Sequence, residues 1–256
     1  MLVLLDIDGT LLNSKHMVEA NTIEVIADFN GLNQFILCSA RKPSSTNLIA
    51  RQLNLKEKII ICYNGALIME GEEKIYEKPL PLEAVTHILQ MAKKYNVIVN
   101  IYSDDLWFVN DLNNLVFSES RIVGESPVKI KDFLELKDLT VHKVLLLSTE
   151  KKLNLIKNEL NSIDDITFCS SKSGYLEITS HQASKRMACE YLLRYLSIDV
   201  ENSLAIGDGY NDLELLQYVG IGIAMDNAPD DVKNVVKHIT YSNDRKGVAI
   251  ALKKFL

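Results

Sequence analysis

Leu2–Ile7, the first run of the chain long enough to form a strand, is apolar at nearly every position and shows no alternation. Gln34–Ser39 and Ile59–Tyr63 share this property, and Ser203–Gly207, Ile221–Met225 and His238–Tyr241 resume the rhythm near the end. A strand that offers water no polar face must be covered on both sides, as in a parallel sheet between two layers of helices. Segments with helical spacing of apolar residues separate the runs, at Val18–Asn30, Pro43–Leu53, Leu213–Tyr218 and Arg245–Leu256. This alternation predicts an α/β fold with a Rossmann-like parallel sheet core. Ligands of such sheets bind at the carboxyl ends of the strands, so chemistry is expected there.

The middle of the chain follows another pattern. Pro79 and Pro81 precede a helix at Leu82–Tyr95, and Val97–Tyr102 and Leu106–Asn110 form a hairpin across Ser103, Asp104 and Asp105. His142–Ser148, a helix over Glu150–Asn161, and a second hairpin of Ile166–Ser170 and Tyr175–Thr179 turning at Gly174 come next. Hairpins mixed with helices predict a separate α+β module. A chain of 256 residues, 47% of them apolar, can fill two cores. The expected organisation is a discontinuous core of residues 1–80 and 183–256 with a second domain, 81–182, inserted into it.

A formal net charge of -6 argues against general nucleic-acid binding, which needs clustered Lys and Arg, but leaves small anions open as partners. Cys38, Cys62, Cys169 and Cys189 form no C-x-x-C pair and each has apolar neighbours, which predicts reduced core thiols. The apolar opening is cut by Asp6 and Asp8 and lacks a basic flank, so it reads as neither signal peptide nor membrane span. A soluble, cytoplasmic protein without membrane partners is the expectation.

The first strand runs into Asp6-Ile7-Asp8-Gly9-Thr10. Carboxylates two apart at a strand end are expected to point to one side, and Gly9 lets the backbone turn its N–H groups toward an anion. The same residues could also be plain strand-to-turn punctuation. Gly207-Asp208-Gly209-Tyr210-Asn211-Asp212 follows another apolar run and adds two carboxylates at a second strand end. Hard oxygen donors of this kind suit Mg²⁺, although Asp212 also reads as the cap of the helix that follows. Ser39 ends the second strand and could donate to a phosphoryl oxygen, with Arg41 holding an anionic group; an ordinary helix cap is the plainer reading. Lys185, at the first turn of a helix, would form an anion clamp with the helix end. Asp230 and Asp231 after Pro229 read as ordinary first-turn acids.

Taken together these residues resemble the haloacid dehalogenase superfamily of phosphohydrolases, and within it the Cof-type subfamily. Asp6-Ile7-Asp8-Gly9-Thr10-Leu11 is similar to its first motif, Ser39 to the second, Lys185 to the third and Gly207–Asp212 to the fourth. Asn64-Gly65-Ala66, Met225-Asp226-Asn227-Ala228 and Ser242-Asn243-Asp244 resemble further subfamily signatures. Ala40, Arg186 and Asp226 stand where the family commonly has glycine, and Ser39 where it commonly has Thr. The resemblance implies a Mg²⁺-dependent phosphatase acting on small phosphate monoesters such as sugar phosphates through a phospho-aspartate. It implies Asp6 as nucleophile and Asp8 as general acid and base. Metal ligation falls to Asp6, Asp8 through its backbone carbonyl and Asp208, with Asp212 acting through water. Gly9, Ser39, Ala40, Arg41, Asn64, Lys185 and Asn211 would hold the phosphate side of the substrate, and Lys185 would serve the chemistry as well. The inserted domain would be an α+β cap of the C2B type closing over the substrate. A phosphomutase of phosphosugars and a phosphosugar-binding sensor are the alternative functions, and a monomer or homodimer the expected assembly.

Overall fold

In the computed structural model the described residues are all but 56–58, 124, 132–138 and 171–172. They divide into two units. The first holds Met1–Ala40, Thr46–Tyr76 and Ser184–Leu256, and the second holds Arg41–Ser45 and Glu77–Ala183.

The first unit is built on β1 (Leu2–Leu5), β2 (Gln34–Cys38), β3 (Ile59–Cys62), β4 (Leu67–Glu70), β5 (Glu73–Glu77), β12 (Ser203–Gly207), β13 (Ile221–Ala224) and β14 (His238–Ile239). Their order in the sheet is β14-β13-β12-β1-β2-β3-β4-β5. The pairs from β14 through to β3 are parallel, with Leu2 opposite both Ser203 and Gln34. The sheet is not parallel throughout, because β4 returns antiparallel to β3. A short connection after β3 allows only such a return, since a parallel crossover needs a dozen or more residues.

Coverage on both faces explains the unbroken apolar runs. Val3 and Leu5 join Phe35, Leu37, Leu204 and Ile206 in one core, beneath helices α1 (Ala20–Phe29) and α9 (Gly247–Phe255). Leu2 and Leu4 join Ile36, Cys38, Ile59 and Ala205 in the other, beneath α6 (Lys185–Tyr195) and α7 (Leu213–Tyr218). Alternate residues of one strand serve opposite layers, so a polar residue at any of these positions would be stranded away from water.

The second unit has its own sheet of β6 (Ile98–Ser103), β7 (Leu106–Val109), β8 (Val128–Lys129), β9 (Lys143–Leu147), β10 (Ile166–Cys169) and β11 (Tyr175–Ser180), ordered β10-β11-β9-β6-β7-β8. Helices α3 (Leu82–Tyr95) and α5 (Glu150–Leu160) cover one face, where Val85, Ile88, Leu153 and Ile156 meet Val99, Ile101, Val144 and Leu176. A further helix, α4 (Asn114–Val123), was not foreseen from the sequence. Lys42 donates from Nζ to the Asp105 carbonyl at 2.7 Å, and the Ser44 N–H donates to Asp105 Oδ1 at 2.7 Å, which binds segment 41–45 to this unit.

Cys38, Cys62 and Cys189 are buried thiols, but Cys169 is exposed, against the expectation of four core thiols. It lies on β10, the edge strand, where Thr167 and Cys169 point away from the Ile166 side that joins the core. No helix among the described residues is long and apolar enough to cross a membrane.

Candidate active site

Adjacent parallel strands each deliver one polar side chain at the carboxyl end. Asp6 follows β1, Ser39 follows β2, Asn64 follows β3 and Asp208 follows β12, with Asn227 three residues past β13. All belong to the first unit.

Three carboxyl groups converge there, since one oxygen each of Asp6, Asp208 and Asp212 lie within 4.8 Å of one another. The Lys185 ammonium donates to Asp6 Oδ1 at 2.6 Å and to Asp212 Oδ1 at 2.6 Å. Lys185 has 0% of its surface exposed, so it is not the solvated first-turn lysine that its position would ordinarily imply. Its helix is started by Ser184, whose Oγ accepts from the Met187 N–H at 3.1 Å. That cap fixes the first turn of α6, from which the lysine reaches inward.

Asp212 does not cap α7 through its side chain. Its Oδ2 instead accepts the N–H groups of Asp208 at 3.1 Å and Gly209 at 2.9 Å, reaching back over the turn that precedes the helix. Asp208 is held at both oxygens: Thr10 Oγ1 donates to Oδ1 at 2.9 Å, and Asn227 Nδ2 to Oδ2 at 3.2 Å. Gly9 has φ +83, and a Cβ on it would lie 2.3 Å from Asp208 Oδ2, so only glycine fits between the first turn and that carboxylate.

Asp6 is buried and Asp8 exposed, so the two differ in surroundings although they are two residues apart. The chain leaves extended geometry after Leu5, and the alternation that would have aligned them ends with the strand. The Asp8 carboxylate is outside the three-carboxyl group.

Ser39 is buried; its N–H donates to the Ile61 carbonyl at 2.9 Å, and its own carbonyl accepts from the Asn64 N–H at 3.0 Å. With α2 (Pro43–Gln52) beginning four residues later, Ser39 is not that helix's cap. Tyr63 (φ 53), Asn64 (φ 56) and Gly65 (φ 97) form three successive left-handed residues. Such geometry costs on the order of 1–3 kcal/mol for each non-glycine residue and persists only where neighbours hold it. Here it brings Asn64 Oδ1 to Asn211 Nδ2 at 2.9 Å, which ties the ends of β3 and β12 together. Of the expected phosphate-side residues, Gly9, Ser39, Ala40, Asn64, Lys185 and Asn211 fall in the first unit. Arg41 falls in the second, where its Nη1 donates to Ser45 Oγ at 3.4 Å.

One ammonium pairs with two carboxyl groups that have a third beside them, and the titration of the cluster reflects that imbalance. Burial pushes Asp6 well above the usual carboxylate range; Lys185 opposes the shift, while Asp212 and Asp208 add to it. Burial likewise raises Asp208 to about 6, against the hydrogen bond from Thr10. Burial would strip the proton from Lys185, but Asp212 and Asp6 outweigh it and hold the ammonium well above its ordinary range. Hard oxygen donors with an excess of negative charge fit a divalent cation, which would offset what Lys185 leaves uncompensated.

A second grouping of possible ligands, Glu77, Asp104 and His142, lies in the second unit. His142 Nδ1 accepts the Asp104 N–H at 3.1 Å, which leaves the Nε2 proton to face Glu77 Oε1 at 3.0 Å. An imidazole used this way presents no lone pair to a cation.

Thr10, Asn227 and Asn243 lie in the motifs that resemble the family, but the sequence assigns none of them a chemical role. The carboxyl-end rule that singled out Asp6 and Asp208 would have found Asn227 if applied to the run ending at Met225.

A family model described as haloacid dehalogenase-like hydrolase matches residues 3–252. The chain is 26% identical to a Bacillus subtilis protein named 5-amino-6-(5-phospho-D-ribitylamino)uracil phosphatase, across 99% of this chain and 97% of that protein. A haloacid dehalogenase-like hydrolase from Bacteroides thetaiotaomicron matches in structure with TM-score 0.92 at 28% identity, over 100% of this chain and 99% of that chain. A structure described as a HAD subclass IIB sugar phosphatase matches with TM-score 0.89 at 25% identity, over 99% and 98% of the two chains.

Proposed function

The chain belongs to the haloacid dehalogenase-like hydrolases and is a phosphatase, and from that premise we propose that it hydrolyses small phosphate monoesters through a phospho-aspartate on Asp6. The observation that carries the reading is the Lys185 ammonium at 2.6 Å from Asp6 Oδ1, inside a buried group of carboxylates at the strand ends. A plain structural ion pair has no need of a second carboxylate on the lysine and a third beside the first two.

In this mechanism Asp6 attacks phosphorus while the ester oxygen leaves and takes a proton from Asp8. Asp8, then a carboxylate, removes a proton from water as its oxygen attacks the phospho-aspartate, which releases phosphate and restores Asp6. The exposure of Asp8 leaves it open both to the departing ester oxygen and to the water that returns its proton within the same cycle. Lys185 keeps Asp6 oriented and offsets charge as the anionic ester approaches. Ser39, Asn64 and Asn211, with the backbone at Gly9 and Ala40, are assigned to the phosphoryl oxygens, and Arg41 to an anionic part of the substrate. Asp6, Asp208, Asp212 and the Asp8 backbone carbonyl would hold Mg²⁺, which supplies positive charge against the phosphoryl group when bound. Barriers to monoester hydrolysis are so high that enhancements can approach ~10²¹, so no single group could account for them.

The named substrates of the relatives, a phosphoribityl compound and a sugar phosphate, support a phosphorylated polyol or sugar as the substrate class. We assign residues 81–182 as the module that selects among such esters.

The test is phosphate release from a panel of phosphate esters, with Mg²⁺ and with EDTA, for the wild type and Asp6→Asn. Release that requires the metal and vanishes in the variant supports the reading. Release that persists in Asp6→Asn removes Asp6 as nucleophile. Transfer seen only with a bisphosphate activator identifies a phosphomutase instead.

A further inference from the structure

Asn227 lies on the exposed surface of the first unit, yet its side chain makes three hydrogen bonds. Nδ2 donates to the Gly9 carbonyl at 2.9 Å and to Asp208 Oδ2 at 3.2 Å, while Oδ1 accepts the Asn243 N–H at 3.1 Å. The partners dictate this orientation of the amide. The carbonyl and the carboxylate can only accept, and the backbone N–H can only donate. Asn243 in turn donates from Nδ2 to the Leu12 carbonyl at 2.8 Å, so the chain of bonds closes on the same turn that carries Asp6, Asp8 and Gly9.

Such a closed circuit has little to offer stability, because bonds at an exposed position compete with water. It has much to offer geometry. Asp208 is fixed by Thr10 on one oxygen and by Asn227 on the other, and both donors are anchored on or against residues 9–12. We propose that Asn227 is a positioning residue that sets the rotation of the Asp208 carboxylate relative to the Asp6–Gly9 turn, and that Asn243 sets Asn227. The inference rests on the reading of Asp6, Asp208 and Asp212 as a cation site.

Second-layer residues of this kind typically change metal affinity or activity by 10–100-fold. Asn227→Ala is therefore expected to raise the Kd for Mg²⁺, measured by calorimetry without substrate, by ~10-fold or more. The Mg²⁺ concentration for half-maximal phosphate release should rise in step, while KM for the ester at saturating Mg²⁺ changes little. Asn243→Ala should move Mg²⁺ affinity the same way by a smaller factor, and both variants should melt in EDTA within a few degrees of the wild type.

Wild-type Mg²⁺ affinity retained by a folded Asn227→Ala overturns the positioning role and leaves the phosphatase reading intact. Equal weakening of Mg²⁺ and ester binding also overturns it, since that marks general damage to the site. A wild type that binds no divalent cation overturns both the inference and the cation-dependent reading beneath it.

Discussion

The Lys185 ammonium stands 2.6 Å from Asp6 Oδ1, and neither side chain has appreciable contact with water. Asp212, at the same distance on another side of the ammonium, is as deeply buried. Taking an ammonium out of water costs several kcal/mol, and only such bracketing by carboxylates makes its retention tolerable.

Replacing Lys185 by Met should keep the side-chain volume while leaving Asp6 and Asp212 facing one another. Breaking a buried pair in this way costs about 3–5 kcal/mol. Thermal melts in EDTA should drop accordingly, with Mg²⁺ recovering part of the loss, and turnover should fall by at least ~100-fold. A variant with the wild-type melting temperature and rate would remove Lys185 from the site.

Asp208 titrates near 6 in the folded chain, against an unfolded value of about 3.9. The folded state therefore holds that proton more tightly than the unfolded one. Its contribution is present below about pH 4 and is lost as pH rises through about 6, a change of about 3 kcal/mol. Asp6, raised in the same direction by burial, adds to the slope. Cation-free protein should thus lose stability between pH 4 and 6, measured by urea titration at several pH values. Asp208→Asn should flatten the slope and be more stable than wild type in EDTA at neutral pH, yet gain less from Mg²⁺. An unchanged pH profile in the variant would refute this.

Gly65 has φ +97, and a Cβ there would sit 2.2 Å from the Ser184 carbonyl. Gly65→Ala should cost at least about 1–3 kcal/mol in backbone strain and displace the residue next to Lys185. Its signature is a fall in kcat larger than the fall in melting temperature would suggest. Loss of stability with full activity per folded molecule would show that the contact does not reach Lys185.

Thiol labelling should find one fast group. Cys169 is exposed, whereas Cys38, Cys62 and Cys189 are buried and burial pushes the Cys189 thiol up to about 12. Reaction with an aromatic disulfide at neutral pH should modify Cys169 rapidly and the others only on unfolding. Two or more fast thiols would contradict the burial of β2, β3 or α6.

The core sheet was legible because covering both faces leaves a local signature, an apolar run without alternation, and Leu213–Tyr218 emerged with its bounds intact. The edge pair β4 and β5 was missed because half-exposed strands such as Glu73–Glu77 carry no such run. The exposure of Cys169 was hidden for a related reason: edge position is a property of sheet order, not of neighbours in sequence. Among the site residues, carboxylates at strand ends are conspicuous, since an acid beside an apolar run has little structural reason to be there. Asn227 and Thr10 are not conspicuous, because their partners lie up to 218 residues away and ordinary loops are full of Asn and Thr. The grouping of Arg41 with the second unit turns on what Lys42 and Ser44 bond to, which no local pattern records.

The complete enclosure of Lys185 also shields it from chemistry other than its own. Reactive acyl donors in solution modify amines they can touch, and Lys94 on the surface of α3 is such a target. Lys185 can be acylated only in moments when the start of α6 comes away from β1 and β12. Its labelling rate, compared with that of Lys94, would report how often this happens. On the proposed mechanism Lys185 would then be among the last residues to be damaged, and inactivation by such agents would track breathing of the fold, not the dose at the surface.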